Sequence, residues 1–263
     1  MPDFAFIFAG FVVGLVVGLT GVGGGSLMTP LLIFAFGVKP YLAIGTDLLF
    51  AAFTKLGGTV SLARARVVDW KVVGQMALGS VPAALVTLYF LQKLGPANPA
   101  TQSIMTMTLG AALLLTATAT LYKAVLGKAA PTQIAPELLA QATRPQHWTL
   151  PIVFGAVIGA LVTLTSVGAG AIGVIVLMLL YPTLPLPRIV AADIAHAVPL
   201  TLVAGLGHAS IGSVDWALLL KLLAGSLPGI WMGAQLMRKT PDRVIRSLLS
   251  VLLAYAGVKL ISI

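Results

Sequence analysis

The sequence predicts an all-α polytopic membrane protein built from two five-helix repeats of inverted topology, with glycine-broken helical hairpins. Three observations lead to this fold class: an apolar composition, ten apolar segments and an internal repeat. Of the 263 residues, 59% are hydrophobic and only 9% are charged, and the mean hydropathy is +1.04. A soluble domain has roughly a quarter of its residues charged. The composition therefore excludes a soluble enzyme and a nucleic-acid-binding protein.

Basic residues outnumber acidic ones. Sixteen Lys and Arg stand against seven Asp and Glu, which gives a formal net charge of +9. In a membrane protein such an excess is typical of loops that face the cytoplasm. The chain has no cysteine, which excludes disulfides and cysteine metal sites. We expect no nucleic-acid partner, no metal and no cofactor.

Ten apolar segments account for most of the chain. They lie near 4–19, 26–37, 41–63, 72–92, 103–126, 150–165, 171–181, 189–211, 216–237 and 244–262. A hydrocarbon layer about 30 Å thick requires about 20 residues of helix. The third to fifth and the eighth to tenth segments reach or approach that length, whereas the second and seventh are too short.

A glycine-rich break separates each short segment from the segment before it. The first break is Thr20–Ser26 and the second is Thr165–Ala171. Glycine costs about 1 kcal/mol in a helix relative to alanine, so these runs do not favour continuous helix. Unwound backbone at membrane depth is tolerated only inside protein or beside water. We therefore predict two helical hairpins whose tips reach into the bundle, and leave open whether they span it or turn back.

The two halves of the chain match at an offset of 145–146 residues. The matched pairs are Gly10 with Gly155, Gly14 with Gly159, Asp47 with Asp193, Asp69-Trp70 with Asp215-Trp216, and Gly79–Pro82 with Gly225–Pro228. The glycine-rich breaks match as well. A shared offset across such different residue types indicates an internal repeat, which many membrane transport proteins contain.

The repeat predicts the topology. Each copy has five segments, an odd number, so the second copy enters the membrane from the opposite side. Eleven basic residues fall in connections on one side and three on the other, and the basic side is expected to be cytoplasmic. We predict transmembrane repeats at 1–126 and 150–263, a cytoplasmic linker at 127–149, and both termini outside the cytoplasm of a multi-pass inner-membrane protein.

Together these features resemble the sulfite exporter TauE/SafE family. The resemblance rests on Gly18–Gly25 followed by Pro30, on Ala43–Leu48, on Thr54–Thr59 and on the echo in Ser166–Gly170. It covers essentially the whole chain. It implies an exporter of a small sulfur-containing anion, such as sulfite, sulfoacetate or another sulfonate.

The breaks are the first candidates for anion binding. A helix that starts after a break offers free backbone N–H groups and the positive end of its dipole, and nearby hydroxyls add donors. The candidate residues are Thr20, Gly23, Gly24, Gly25, Ser26, Ser166, Gly168 and Gly170. Tight helix packing through small residues is the alternative.

Four ionisable residues inside apolar segments are further candidates. Lys55 is a candidate for anion binding, with snorkelling to the interface as the alternative. Asp47, Asp193 and His196 are candidates for coupling or proton transfer. For the two aspartates, which the inverted topology places towards opposite faces, the alternative is helix capping. For His196 it is a hydrogen-bonded packing role.

These residues predict a secondary transporter that works by alternating access, not an enzyme. No P-loop ending follows the first glycine run, so the energy comes from a gradient. The alternatives are an anion channel, an intramembrane hydrolase that uses Ser166 with His196 or His208, and a scaffold subunit. The predicted partners are a small anion and the lipid bilayer. The sequence leaves open the choice of anion, the direction, proton or sodium coupling, and a homodimer.

Overall fold

The computed structural model of the chain describes residues 3–20, 25–126, 149–236 and 242–262. Within these ranges the chain forms ten helices and no strand. They are α1 (Asp3–Thr20), α2 (Gly25–Phe36), α3 (Pro40–Arg64), α4 (Trp70–Leu94), α5 (Pro99–Leu126), α6 (Leu150–Thr165), α7 (Ala171–Leu180), α8 (Leu186–Ser210), α9 (Trp216–Leu236) and α10 (Asp242–Ile261). The predicted all-α class is confirmed, and the linker, apart from its last residue, lies outside the described residues.

The helix lengths agree with the segments read from the sequence. The two helices that follow the breaks are short, with 12 residues in α2 and 10 in α7. Four helices among the described residues are long and apolar enough to cross a membrane: Trp70–Leu94, Pro99–Leu121, Leu186–Ser210 and Trp216–Gly233. The helix α3 has 25 residues but is not among them. Its polar residues Thr46, Asp47, Lys55 and Thr59 are buried in the protein, which is why a long helix of lower hydropathy is accommodated here.

Capping residues define where several helices begin. The side chain of Asp69 accepts hydrogen bonds from the backbone N–H groups of Lys71 and Val72, at 3.1 and 3.4 Å, at the start of α4. Asp215 accepts from Leu218 at 3.0 Å at the start of α9. The aspartate of the repeated Asp-Trp pair therefore caps a helix in both halves.

Repeated glycines bring two helix pairs into close contact. Helix α1 packs along α9, and α6 packs along α4. A Cβ atom added to Gly10 or Gly14 would overlap the backbone of α9, and one added to Gly155 or Gly159 would overlap the backbone of α4. The glycines of α9 and α4 reciprocate, since a Cβ on Gly225 or Gly79 would overlap α1 or α6. Small residues allow this close approach between membrane helices.

The helices α3 and α8 pack against each other in the middle of the bundle, and α5 packs against α10. Both central helices bury long stretches, including Ala43–Ala52 of α3. Helices α2 and α7 pack against α3 and α8 respectively. Large apolar side chains remain exposed on the outer helices, for example Leu78 and Phe90 on α4 and Leu220 and Trp231 on α9. A broad exposed apolar surface fits a lipid environment.

Candidate functional site

The second glycine break forms a defined turn inside the protein. Ser166 ends α6 in a left-handed conformation with φ of 59°, and Gly168 and Gly170 have φ of 127° and 132°. The positive φ values at Gly168 and Gly170 lie where side chains are rarely tolerated. Ala169, which interrupts the glycine run, has no positive φ. The break is therefore a fixed turn, and Ala169, between the two glycines, occupies a position that accepts a side chain.

Local hydrogen bonds hold this turn together. The Thr165 hydroxyl donates to the carbonyl oxygens of Leu161 and Val167, at 2.6 and 3.0 Å, and accepts from the Val167 N–H at 3.1 Å. The Gly173 N–H donates to the Gly168 carbonyl at 3.0 Å at the start of α7. The backbone at the tip is thus largely satisfied by the chain itself, as membrane depth requires.

Lys55 of α3 binds the tip of this break. Its side chain is only 7% exposed, and its Nζ donates to the carbonyl oxygen of Ala169 at 3.1 Å. The ammonium also interacts electrostatically with Asp193 and Asp47. The snorkelling alternative is therefore wrong, because the ammonium points into the protein, where an ionised group is retained only with partners.

Asp47 of α3 also lies near this break, beside Ser166. Its side chain is fully buried, and its Oδ2 accepts a hydrogen bond from the Thr29 hydroxyl of α2 at 2.5 Å. The Ser166 hydroxyl acts on this carboxylate, although the Ser166 Oγ and the Asp47 Oδ1 lie outside strict hydrogen-bond geometry. Two buried polar atoms at one turn thus have unused bonding capacity, which in native proteins calls for an explanation.

Asp193 of α8 lies beside the other short helix. It is 1% exposed, and its carboxylate packs directly against Gly173 of α7, where a Cβ atom would overlap Oδ1. The capping alternative for the two aspartates is wrong. Helices α3 and α8 begin at Pro40 and Leu186, so each aspartate lies about two turns inside its helix. Both carboxylates interact electrostatically with Lys55, and their predicted positions towards opposite faces of the membrane stay a prediction.

The two buried histidines of α8 have different partners. His196 is 1% exposed and its Nε2 pairs with the Ser80 hydroxyl of α4 at 2.8 Å. His196 also experiences the charge of Lys55. His208 is fully buried and its Nε2 pairs with the Thr163 carbonyl of α6 at 2.9 Å. Neither His196 nor His208 is therefore the observed hydrogen-bond partner of the Ser166 hydroxyl.

The first break contributes less to the described site. Ser26 is 5% exposed within α2, Gly25 begins α2 and Thr20 ends α1. Gly23 and Gly24 lie outside the described residues. The structure thus brings together Lys55, Asp47, Asp193 and the second break, with His196 at the edge of the cluster.

Two residues of the site were not identified from the sequence. Thr29 hydrogen-bonds Asp47, and Ser80 hydrogen-bonds His196. Ser80 belongs to the repeated Gly79–Pro82 motif, which could have drawn attention to it. Thr29 had no such signal, because hydroxyl residues are common on membrane helices and only the packing of α2 on α3 shows which carboxylate it meets.

The site does not coincide with the open groove on the outside of the protein. That groove, of about 520 Å³, lies between α5 and α7. It is lined by Leu115, Thr118, Ala119, Ile172, Ile175, Val176 and Leu179. Such an apolar, lipid-facing surface offers an anion no charged partner.

A polar, charged centre inside an apolar helical bundle is typical of multi-pass membrane transport proteins. Comparison with known families supports this class and specifies it. The family model described as "Sulfite exporter TauE/SafE" matches residues 6–260. The chain belongs to this family, which confirms the resemblance found in the sequence.

Three proteins of Bacillus subtilis (strain 168) are similar over almost their whole length. "Probable membrane transporter protein YjnA" is 35% identical over 266 residues, covering 98% of this chain and 99% of that protein. "Probable membrane transporter protein YdhB" is 28% identical, covering 95% and 97%. "Probable membrane transporter protein YunE" is 28% identical, covering 96% and 94%. No solved structure matches the chain.

Proposed function

We propose that this protein is a secondary transporter that exports a small sulfur-containing anion, such as sulfite, sulfoacetate or another sulfonate, across the cell membrane by alternating access. Membership of the sulfite exporter TauE/SafE family supports the substrate class. The names of its relatives support transport and not catalysis. The internal site adds residues to which an anion can bind.

The proposed anion site is the tip of the second break beside Lys55. The ammonium is buried and bonded to the Ala169 carbonyl, and an anion oxygen can replace that carbonyl because a charged partner makes a stronger bond. The Ser166 hydroxyl next to it has no hydrogen bond and can donate to the same anion. This combination of a buried cation and a hydroxyl with unused bonding capacity is the observation that supports the proposal most strongly.

Alternating access is proposed from the arrangement of the two halves. The pairing of α1 with α9 corresponds to that of α6 with α4 when the halves are exchanged, and matched glycines mediate both. Such correspondence supports two inverted repeats that rock against each other around a central site. The proposed topology keeps both termini outside the cytoplasm and the linker 127–149 inside.

The hydrolase alternative receives no support from the site. A serine nucleophile requires a base within hydrogen-bond reach. The observed partners of His196 and His208 are Ser80 and the Thr163 carbonyl. A homodimer stays a prediction.

Uptake by purified protein in liposomes tests the proposed function. Sulfite, sulfoacetate, taurine and sulfate are offered in turn to vesicles with the protein and to matched vesicles without it. We expect saturable flux of at least one sulfur-containing anion. Ser166→Ala tests the hydrolase alternative in the same vesicles, because a transporter keeps most of its flux when one of several donors is lost. Vesicles with folded protein but no flux of any of these anions would contradict the proposal.

A further inference from the structure

The buried charges around the second break do not balance. Lys55 is a single cation, and Asp47 and Asp193 are two carboxylates that both act on it. Among the other charged and titratable side chains described on helices packed against α3, Arg188 lies in the first turn of α8, away from Asp193, and the rest have partners of their own. His196 and His208 of α8 are hydrogen-bonded, Lys221 of α9 pairs with Asp3 at the surface, and Asp215 caps α9.

The two carboxylates are not equivalent. Asp193 packs against Gly173 at the start of α7, next to the break whose Ala169 carbonyl binds the Lys55 ammonium, and we assign it as the counter-ion of Lys55. Asp47 is then the additional carboxylate of the cluster. Its Oδ1 is buried without a hydrogen bond and its neighbour on that side of the turn is the Ser166 hydroxyl.

An anion that binds beside Lys55 meets this additional charge. With Asp47 ionised, a monovalent anion would bring three negative charges around one ammonium, and burying unpaired charge is costly. Protonation of Asp47 restores the charge that the cluster had before a monovalent anion arrived, and it offsets one of the two negative charges of a divalent anion such as sulfoacetate.

On the basis of the proposed function, we propose that the anion crosses the membrane together with a proton that the Asp47 carboxylate binds and releases. The step is a simple protonation: the carboxylate takes a proton on the side where the anion enters and returns it on the side where the anion leaves. The transporter is thus a proton–anion symporter, in which the outward gradient of the anion drives export and a proton leaves with it.

The neighbours of Asp47 suit both protonation states. A hydroxyl group can donate one hydrogen bond and accept others. The Thr29 hydroxyl donates to Oδ2 and suits the ionised form. In the protonated form, a proton on Oδ1 can be donated to the Ser166 Oγ. The two atoms without a hydrogen bond at this turn, Asp47 Oδ1 and Ser166 Oγ, are then both used.

Two transport modes of the same vesicles test this proposal, with sulfoacetate as the probe. Its carboxyl group has an ordinary pKa near 4, so the anion itself carries no proton at neutral pH. Exchange of labelled for unlabelled sulfoacetate needs no net proton movement, whereas uphill accumulation driven by a pH gradient does. Asp47→Asn imitates the protonated carboxyl group. We expect it to keep exchange within about threefold of the wild type and to lose accumulation driven by the pH gradient.

Two further variants complete the test. Asp3→Asn removes a surface carboxylate outside the cluster and should leave both modes unchanged. If Asp47→Asn loses exchange as well, Asp47→Glu becomes the deciding variant, because it keeps a titratable group. Accumulation by Asp47→Glu that responds to the pH gradient then supports the proposal.

Accumulation in Asp47→Asn that still follows the pH gradient would overturn the proposal, as would Asp47→Glu that exchanges sulfoacetate without any response to the pH gradient. Accumulation by the wild type that follows only a sodium gradient would also overturn it. Absence of all sulfoacetate exchange by the wild type, with sulfite also untransported, would instead contradict the proposed function.

Discussion

The two halves of this protein share a scaffold but differ in the chemistry of their central helices. The scaffold contacts correspond: glycines of α1 meet α9 as glycines of α6 meet α4. The two aspartates Asp47 and Asp193 correspond as well, but the cation does not. Lys55 of α3 matches Thr201 of α8 in the repeat, and the Thr201 hydroxyl donates only within its own helix, to the carbonyl oxygens of Ala197 at 2.7 Å and Val198 at 3.5 Å.

A second pair of matched positions also differs, but here the polar residue lies in the second half. His196 of α8 matches Phe50 of α3, which is a fully buried apolar residue. The first half thus provides the cation and the second half provides the histidine. Packing constrains both halves equally, because each helix pair needs its close contact, whereas the proposed site needs its cation only once. The predictions below test this separation of symmetric scaffold from asymmetric site.

The largest expected effect comes from the scaffold. Gly225→Val and Gly79→Val each place a side chain into the backbone of the facing helix, at Ile7 and Ile152 respectively. We expect both to destabilise the fold by about 3 kcal/mol or more, to a similar extent in the two halves. Thermal unfolding in detergent measures this. Gly74→Ala, where a Cβ would meet nothing within 4 Å, is the control. A large difference in thermal stability between the two valine variants would contradict the symmetry of the scaffold.

The next largest effect is expected from removal of the Lys55 cation. Lys55→Thr gives α3 the residue that α8 has at the matched position. A hydrogen bond to a charged group contributes about 1.5–3 kcal/mol. Its loss predicts that sulfite flux into liposomes falls roughly ten- to a hundredfold. Thr201→Val removes a hydroxyl that bonds only within its own helix and should change flux by about twofold or less. Equal losses in both variants would contradict an asymmetric site.

A smaller effect is expected where α7 meets Asp193. Gly173→Ala would place a Cβ atom against the Asp193 Oδ1, so the carboxylate has to move away from its present position. We expect sulfite flux to fall about tenfold while the protein stays folded. Gly58→Ala is the matched control, since its Cβ would lie at an ordinary 3.9 Å from Ile194. Unchanged flux in Gly173→Ala would mean that the position of Asp193 does not matter for transport.

The smallest expected effect is a difference in Tm between variants of two matched serines, Ser80 and Ser226. Ser80→Ala leaves the buried Nε2 of His196 without its partner, which costs about 1–3 kcal/mol. For a chain of this size, each kcal/mol corresponds to about 2–4 °C in Tm. Ser226→Ala removes a hydroxyl that donates to Leu223 of its own helix at 3.4 Å, and its Tm should stay close to that of the wild type. Equal Tm values for both variants would show that the Ser80–His196 pair adds nothing to stability.

Much of the fold could be predicted from the sequence, because lipid imposes simple rules. Apolar length indicated the helices, and glycine runs indicated the two interruptions. The repeated Asp69 and Asp215 marked the starts of α4 and α9, where both are now seen as caps. Backbone groups without hydrogen bonds are costly in lipid, so each apolar segment forms its own helix. These signals are therefore local and can be identified one segment at a time.

The site was less predictable, because it depends on which helices meet. The position of Asp47 near the beginning of its segment suggested a cap, but α3 starts earlier, at Pro40, and turns the carboxylate inward. The depth of Lys55 was clear from the sequence, whereas its partner, the Ala169 carbonyl, is 114 positions away. The role of Thr29 follows only from the packing of α2 against α3.

The most direct test of the central claim is the binding of sulfite to the purified protein in detergent, measured by calorimetry for the wild type and for Lys55→Met. The account predicts saturable binding by the wild type and binding at least about tenfold weaker in Lys55→Met, since a charged hydrogen bond is lost. Thermal unfolding of the variant shows that it is folded. Equal affinity of the folded variant and the wild type would contradict an anion site built on Lys55 and the second break.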